Sequence, residues 1–458
     1  MPKLSGHKIR QSEVVDKAVS SLVQEIQGIN EAINGVREPS PEHEGNAKKI
    51  MDEIGANRGR ELFYPYVGSG AGRGAMVELE DGSVKLDLIN GIGIHLLGHS
   101  HPELIRAGLK AALTDIVIQG NLQANQEYYL MGKKLTDLAK RKSRLRHAWI
   151  TTSGSMANEI ALKISRQKKS PARMVLAMKD AFAGRTTMMT EIGDNPAHGV
   201  GQPKYNEVLR LPFYDGKDPQ SAEKTLRQLK EHVAKNEGNI SAMVFEPIQG
   251  EGGFRVAPRE FFVPLLEFCR SKGIAVWLDE VQTFCRTGEF FAFETLGLGE
   301  YVDIVSVAKV AQVGATLYTP EYNPQAGLIA GTFAGSSVAL ATGCKVLDIM
   351  SDGYMGPTGR IQQIHKKFVS VFDQMINGSC KGILEDAGGI GLMVAVTPFG
   401  GDKDKVNKLL KVLYKNGMIA FSCGHGPYRL RFLVPAVITD REIELAGTIL
   451  EKSLLEMK

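Results

Sequence analysis

Three short stretches constrain this chain more than any others: Phe245-Glu-Pro-Ile-Gln-Gly-Glu-Gly-Gly253, Trp277-Leu-Asp-Glu-Val-Gln282 and Ser306-Val-Ala-Lys309. Each begins in β-forming apolar residues and ends in an ionisable or amide side chain, and roughly a helix's worth of chain separates one from the next. A parallel α/β sheet presents functional groups in this way, at the carboxyl ends of its strands. Asp279 and Lys309, a carboxylate and an amine brought to one such edge, point to imine chemistry on a bound cofactor.

Around these stretches, residues 91 to 340 alternate strand and helix patterns. The expected strands are His147–Thr151, Arg173–Ala177, Ile240–Phe245, Ile274–Leu278 and Val302–Val307. That alternation predicts a doubly wound α/β domain. Ahead of it, Val15, Ala18, Val19, Leu22, Ile26, Ile29 and Ile33 mark one stripe of an N-terminal helix. Arg37 to Glu44 reads as a polar loop, and Ala75 to Ile89 as a β-hairpin turning at Asp81-Gly82. Beyond residue 341 the texture changes. Gly-rich turns are expected at Ala387-Gly-Gly-Ile-Gly391, a strand at Leu392–Val396, and a closing helix behind the capping box Thr439-Asp-Arg-Glu442. The domains expected are 1–90 (helical extension and hairpin), 91–340 (large α/β domain) and 341–458 (small α+β domain).

Composition narrows the function classes. With 55 basic and 51 acidic residues the formal charge is +4, and the basic residues are scattered, which favours neither nucleic acid nor an anionic membrane as partner. No apolar run approaches the roughly 20 residues of a membrane helix, and Met1-Pro-Lys-Leu-Ser lacks an apolar leader core. Five cysteines without a CxxC pair suit a reducing compartment, so a cytoplasmic protein is expected.

The remaining motifs each carry two readings. Gly154 and Ser155 sit where a helix would begin, which suits a phosphate, although Ser153 there is also an ordinary N-cap. Phe182 could stack on a flat ring and Arg185 could bind a carboxylate; a core Phe and a surface Arg explain them equally well. Asp279 would keep a ring nitrogen protonated and a lysine beside that cation would lose its own proton more readily, against the alternative of a surface salt bridge. His95, His99 and His101 lie in a Gly- and Pro-punctuated turn rather than on a helical face, and no metal is expected there. Gly68-Ser-Gly-Ala-Gly-Arg-Gly74 lacks nucleotide-loop spacing and leads into a hairpin.

Taken together, Ser153-Gly-Ser-x-Ala-Asn-Glu159, Gly184-Arg-Thr186, Glu246-Pro-Ile-Gln-Gly-Glu-Gly-Gly253, Asp279-Glu-Val-Gln282 and Ala308-Lys309 follow the order and spacing of class III aminotransferases. From about residue 62 onward the chain resembles that family. The resemblance implies the fold-type I architecture of enzymes dependent on pyridoxal 5'-phosphate. That is a large, mostly parallel, doubly wound sheet domain with a smaller α+β domain built from both termini. It implies Lys309 as the imine-forming, proton-shuttling lysine and Asp279 as the partner of the pyridine nitrogen. Gln282 would meet the phenolic oxygen, Val281 and Phe182 would cover the two ring faces, and Glu246 would join the cofactor site. Gly154 and Ser155 would hold the phosphate with Thr332 of a neighbouring subunit, hence a homodimer with shared active sites. Arg431 would bind a substrate carboxylate, Glu251 would gate it, and Arg185 would complete the substrate residues.

Physically, such a gate has Glu251 neutralise Arg431 while a monocarboxylate donor reacts at its distal amine, and yield when 2-oxoglutarate brings its own carboxylate. The chain departs from the family pattern at Ala183, Met156, Gly388 and the Lys309-Val-Ala-Gln-Val-Gly314 stretch, which is more like that of lysine 6-aminotransferases. The expected reaction moves the terminal amine of ornithine, N-acetylornithine, lysine or 4-aminobutyrate to 2-oxoglutarate, giving a semialdehyde and glutamate. An aminomutase or decarboxylase on the same fold is the alternative, and a non-catalytic binding protein a third.

Overall fold

The computed structural model describes residues 4–62, 64–117, 120 and 122–458; Met1–Lys3, read above for a leader, lie outside them. Strands β1 (Gly68–Arg73), β2 (Met76–Leu79) and β3 (Val84–Asp87) form an antiparallel meander. Next come β4 (His147–Thr151), β5 (Met174–Met178), β6 (Val208–Leu211) and β7 (Ile240–Phe245). The short pair β8 (Ile248–Gln249) and β9 (Arg255–Val256) precedes β10 (Ala275–Asp279), β11 (Ile304–Val307) and β12 (Gly314–Tyr318). After them follow β13 (Leu384–Ile390), β14 (Met393–Pro398), β15 (Met418–Ile419), β16 (Phe421–Cys423) and β17 (Arg429–Leu433).

The central sheet has seven strands in the order β4-β12-β11-β10-β7-β5-β6. Its described pairings are parallel except those of β12, which runs antiparallel to both β11 and β4. Successive side chains part to opposite faces, as strand geometry requires. Val175, Ala177, Val244 and Trp277 pack with Ile160, Ala161 and Ile164 of the helix Gly154–Lys168. Leu176, Met178, Phe245 and Leu278 pack on the other face with Leu265 and Leu266 of the helix Arg259–Ser271. Both faces are covered, so these strands read as continuous apolar runs, and a polar residue at a strand end stands out against them.

Two smaller sheets flank this one. β15, far along the chain, pairs in parallel with β3 (Met418 opposite Leu86), so the order β1-β2-β3-β15 joins sequence from both ends. The second sheet, β13-β14-β17-β16, is antiparallel. This agrees with the fold type I expectation, in which the smaller lobe is made from both termini.

Several local expectations are corrected. Arg37–Glu44 is not wholly loop: a helix, Pro41–Arg58, starts inside it, with proline in the first turn where a missing N–H costs no bond. The N-terminal stripe is only partly covered, because Val19 and Ile33 are buried while Leu22 and Ile29 are 53% and 65% exposed. Ala387–Ile390 belongs to β13 rather than to turns, with the pairing irregular between Glu385 and Gly388. Gly389 takes φ +116 there, and a Cβ on it would lie 2.0 Å from the Met393 carbonyl oxygen. Strands β6 and β12 had no counterpart in the sequence reading. A four-residue run such as Val208–Leu211 and the Gly-led Gly314–Tyr318 are too short or too irregular to show the alternation that identifies a strand.

Candidate active site

The site begins with the turn after β4. Ser153 caps the helix Gly154–Lys168, its hydroxyl accepting from Met156 N–H at 3.3 Å. The first free N–H groups of that helix therefore point out of the sheet edge, where they and the helix dipole favour an anion. Close approach keeps Gly154 a glycine: a Cβ would lie 2.7 Å from Val281 Cγ1. Gly184 is crowded likewise, its φ being +133 and Ser155 Oγ lying 2.4 Å from where a Cβ would stand.

From the end of β10, Asp279 is 5% exposed and held at both oxygens. Oδ1 accepts from Val281 N–H at 2.9 Å and Oδ2 from Asn158 Nδ2 at 2.7 Å. Burial lifts its pKa to about 6, against the pull of those two bonds and of Lys309. Asn158 also donates to the Ala183 carbonyl at 2.7 Å, while its own Oδ1 and the Oε1 of Gln282 are buried without a partner. Beyond β7, Glu246 accepts from Phe182 N–H at 3.0 Å and Gly250 N–H at 2.9 Å. Burial and then Asp279 raise its pKa to about 8.

Lys309 follows β11 by two residues, at φ +53, and its Nζ donates to the Ile92 carbonyl at 3.1 Å. Its pKa is brought down to about 8, first by burial and then by the positive charges of Arg286 and Arg431; Glu251 and Asp279 act the other way. An amine so placed is far more often unprotonated at neutral pH than an ordinary lysine.

These groups share one cavity of about 400 Å³. Of the expected residues, Gly154, Ser155, Phe182, Glu246, Asp279, Val281, Gln282 and Lys309 line it, as do the departures Ala183, Gln312 and Val313. Arg185 is exposed, its guanidinium 5.7 Å from the Phe182 ring centre. Arg431 and Glu251 do not line the cavity, although their charges reach Lys309. Arg431 lies on β17, is 1% exposed, and donates from Nη2 to Glu251 Oε1 at 2.7 Å. Its Nε and Nη1 have no partner, and Phe421 and Phe254 lie 5.0 and 5.9 Å from the guanidinium carbon. Thr332 is exposed and away from the cavity of its own chain. Among the described residues, no three His, Cys, Asp or Glu side chains converge as a metal site would need; His99 instead bonds Asp87 Oδ2 at 2.9 Å.

Sequence reasoning passed over Asn158, although it sits within a motif that was read, and it missed Arg286 and the turn Asn90–Gly93. The run Asn90-Gly-Ile-Gly93 was the available signal for that turn, since Asn and Gly tolerate left-handed backbone.

The sequence model of the family described as aminotransferase class-III matches residues 58–454. The acetylornithine aminotransferase of Lactococcus lactis subsp. lactis is 31% identical over 386 residues, 81% of this chain and 93% of its own. The 2-aminoadipate transaminase of Pseudomonas putida is 27% identical, over 84% of this chain and 95% of its own. The solved lysine aminotransferase from M. tuberculosis in its internal aldimine form superposes with a TM-score of 0.78 at 22% identity, over 89% of this chain and all of that one. The chain belongs to the class III aminotransferases. It is an enzyme of the pyridoxal 5'-phosphate-dependent kind. No helix among the described residues is long and apolar enough to cross a membrane.

Proposed function

We propose that this enzyme moves the terminal amino group of an amino acid of the ornithine, N-acetylornithine, lysine or 4-aminobutyrate type to 2-oxoglutarate, giving a semialdehyde and glutamate. The observation that carries this reading is the Arg431–Glu251 pair. A buried guanidinium uses one nitrogen on the Glu251 carboxylate and keeps two nitrogens unmatched. Such a group suits an exchangeable carboxylate ligand, because an unmatched buried donor is costly until something fills it. The relatives named for acetylornithine and for 2-aminoadipate add support for a substrate with a carboxylate and a distant amine.

The cavity fits the cofactor on its own chemistry. It offers a buried carboxylate, a helix N-terminus, a partly deprotonated lysine, and the orphaned oxygens of Asn158 and Gln282. Bound there, pyridoxal 5'-phosphate supplies an electrophilic carbonyl and an electron-accepting ring through which an amino group can leave one substrate and enter another. Asp279 would hold a proton on the ring nitrogen, oriented by Val281 N–H and Asn158. Gln282 would donate to the phenolic oxygen, and Gly154, Ser155 and the helix N-terminus would take the phosphate. Val281 and Phe182 would bracket the ring, and Glu246, tied to Phe182 N–H, would hold that residue in place. Lys309 Nζ would carry the reacting amine and move the proton at the substrate carbon. Arg431 would bind the carboxylate and Glu251 would cover Arg431 when a substrate brings none, with Arg185 at the mouth.

The enzyme would work as a cytoplasmic homodimer, Thr332 reaching the phosphate of the neighbouring subunit's site. In support, Thr332 and Phe333 are exposed and do not line the cavity of their own chain. The reading is tested by a single-turnover panel in which the cofactor-loaded enzyme meets glutamate and each candidate donor, and the loss of its visible band is timed. Rapid bleaching by glutamate and by one terminal amine is expected. If glutamate leaves the band intact, the 2-oxoglutarate assignment is wrong.

A further inference from the structure

The most strained backbone beside the cavity is the turn Asn90–Gly93. Four consecutive residues there have positive φ, of +51, +60, +60 and +84, and one of them is the β-branched Ile92. A β-branched residue in that region is a genuine outlier, and it persists only where its surroundings over-determine it. They do so here. Asp87 Oδ1 accepts from the N–H groups of Ile89 and Asn90 at 2.9 and 2.8 Å, and Asn90 Nδ2 donates to the Leu433 carbonyl at 2.7 Å. The strain delivers the Ile92 carbonyl to Lys309 Nζ at 3.1 Å. On the next residue, the Gly93 carbonyl accepts from Arg286 Nη2.

Arg286 itself is 1% exposed and donates from Nη1 to the Gln282 carbonyl at 2.7 Å. Both bonds go to neutral carbonyls, and no salt bridge to it occurs among the described residues. A buried guanidinium without a carboxylate is an expensive way to join two carbonyls, and a neutral donor would suffice for that alone. Burial draws it down only to about 10, so it stays charged at neutral pH.

We propose that Arg286 is a positioning residue of the transamination reaction: its fork ties the Gln282 backbone to the strained turn whose Ile92 carbonyl holds Lys309 Nζ, and its unpaired charge is set one residue along that turn. This rests on the reading of Lys309 as the reacting amine. The charged groups that act on Lys309 are Arg286 and Arg431 on one side and Glu251 and Asp279 on the other. Removing the Arg286 charge therefore raises the affinity of the Lys309 nitrogen for a proton, whereas a merely structural role would leave it unchanged.

The experiment is a pH titration of the visible band of the cofactor-loaded enzyme in Arg286→Gln, Arg286→Met and Arg286→Lys, with Lys309→Ala as control. The two neutral variants should move the midpoint upward by about half a pH unit or more, and the lysine variant should stay near wild type. In Arg286→Lys, which keeps the charge but loses the fork, kcat should fall about tenfold with KM changed less than twofold. A folded Arg286→Gln enzyme with the wild-type midpoint would overturn the proposal. If neither neutral variant folds, a wild-type kcat in Arg286→Lys overturns it. A band that persists in Lys309→Ala would instead sink the reading of Lys309, whatever the Arg286 variants do.

Discussion

The two ends of the active site are built on opposite terms. At the edge of the central sheet two ionisable groups that line the cavity are tied down: Asp279 holds hydrogen bonds at both oxygens and Lys309 rests on a carbonyl. On β17 Arg431 is just as deeply buried, yet two of its nitrogens have no partner and its single acid partner, Glu251, sits on a glycine-rich loop. Under the proposed function, the difference separates what must not move from what must be exchanged. A group that orients a resident cofactor works best when pre-organised. A group that greets two substrates in turn has to be left incomplete.

Substitutions at the two ends should differ widely in effect. Lys309→Ala should cost the most, on the order of 10⁴-fold or more in kcat, with the visible band changed as well. Arg431→Ala should lower kcat/KM for glutamate by about 10²–10³-fold, the loss expected for truncating one side of a buried charged contact. It should do much less to a donor that carries no carboxylate at that end, and parallel kinetics on the two amines check this. Next comes the stability of the cofactor-free protein. Lys309 is brought to about 8 from 10.5 when folded, so between those values the unfolded chain binds the extra proton and stability rises with pH. Lys309→Met should therefore be more stable than wild type at pH 7, by at most about 3 kcal/mol, with the gap closing toward pH 10.5 in urea melts. Glu251→Gln should shift preference toward glutamate by roughly tenfold, because the gate then competes less with the substrate carboxylate. Smallest of all, Thr332→Ala should weaken cofactor binding about fivefold, the worth of one ordinary hydrogen bond.

The same contrast explains what was legible in the sequence. Asp279, Lys309 and Glu246 stand at the ends of apolar runs buried on both faces, so each appears as a lone polar residue against a hydrophobic background. The central sheet was legible for the same reason, except for β6 and β12. Arg431 was found through family likeness, since an arginine within Leu430-Arg-Phe-Leu433 has no local mark of burial. Arg286 stands between Phe284-Cys285 and Thr287-Gly288, with no local mark of its role, and only the folded chain shows it reaching the Gly93 carbonyl. The left-handed turn had a signal in the Asn and Gly residues around Ile92, but nothing in Ile92 itself favours that backbone; it is imposed by Asp87, Asn90 and Arg286 together. In the N-terminal helix an apolar stripe was legible, but not which part of it the fold covers.

Under the proposed function, one fixed cofactor edge serves two half-reactions through one incomplete arginine. Stopped-flow bleaching of the visible band tests it most directly, with wild type and Arg431→Ala each mixed with glutamate and with an amine lacking a carboxylate at that end. Fast bleaching by glutamate is expected in wild type, with a loss of about 10²-fold or more in the variant and little change with the other amine. Equal slowing of both amines, or a glutamate reaction untouched by the substitution, would contradict it.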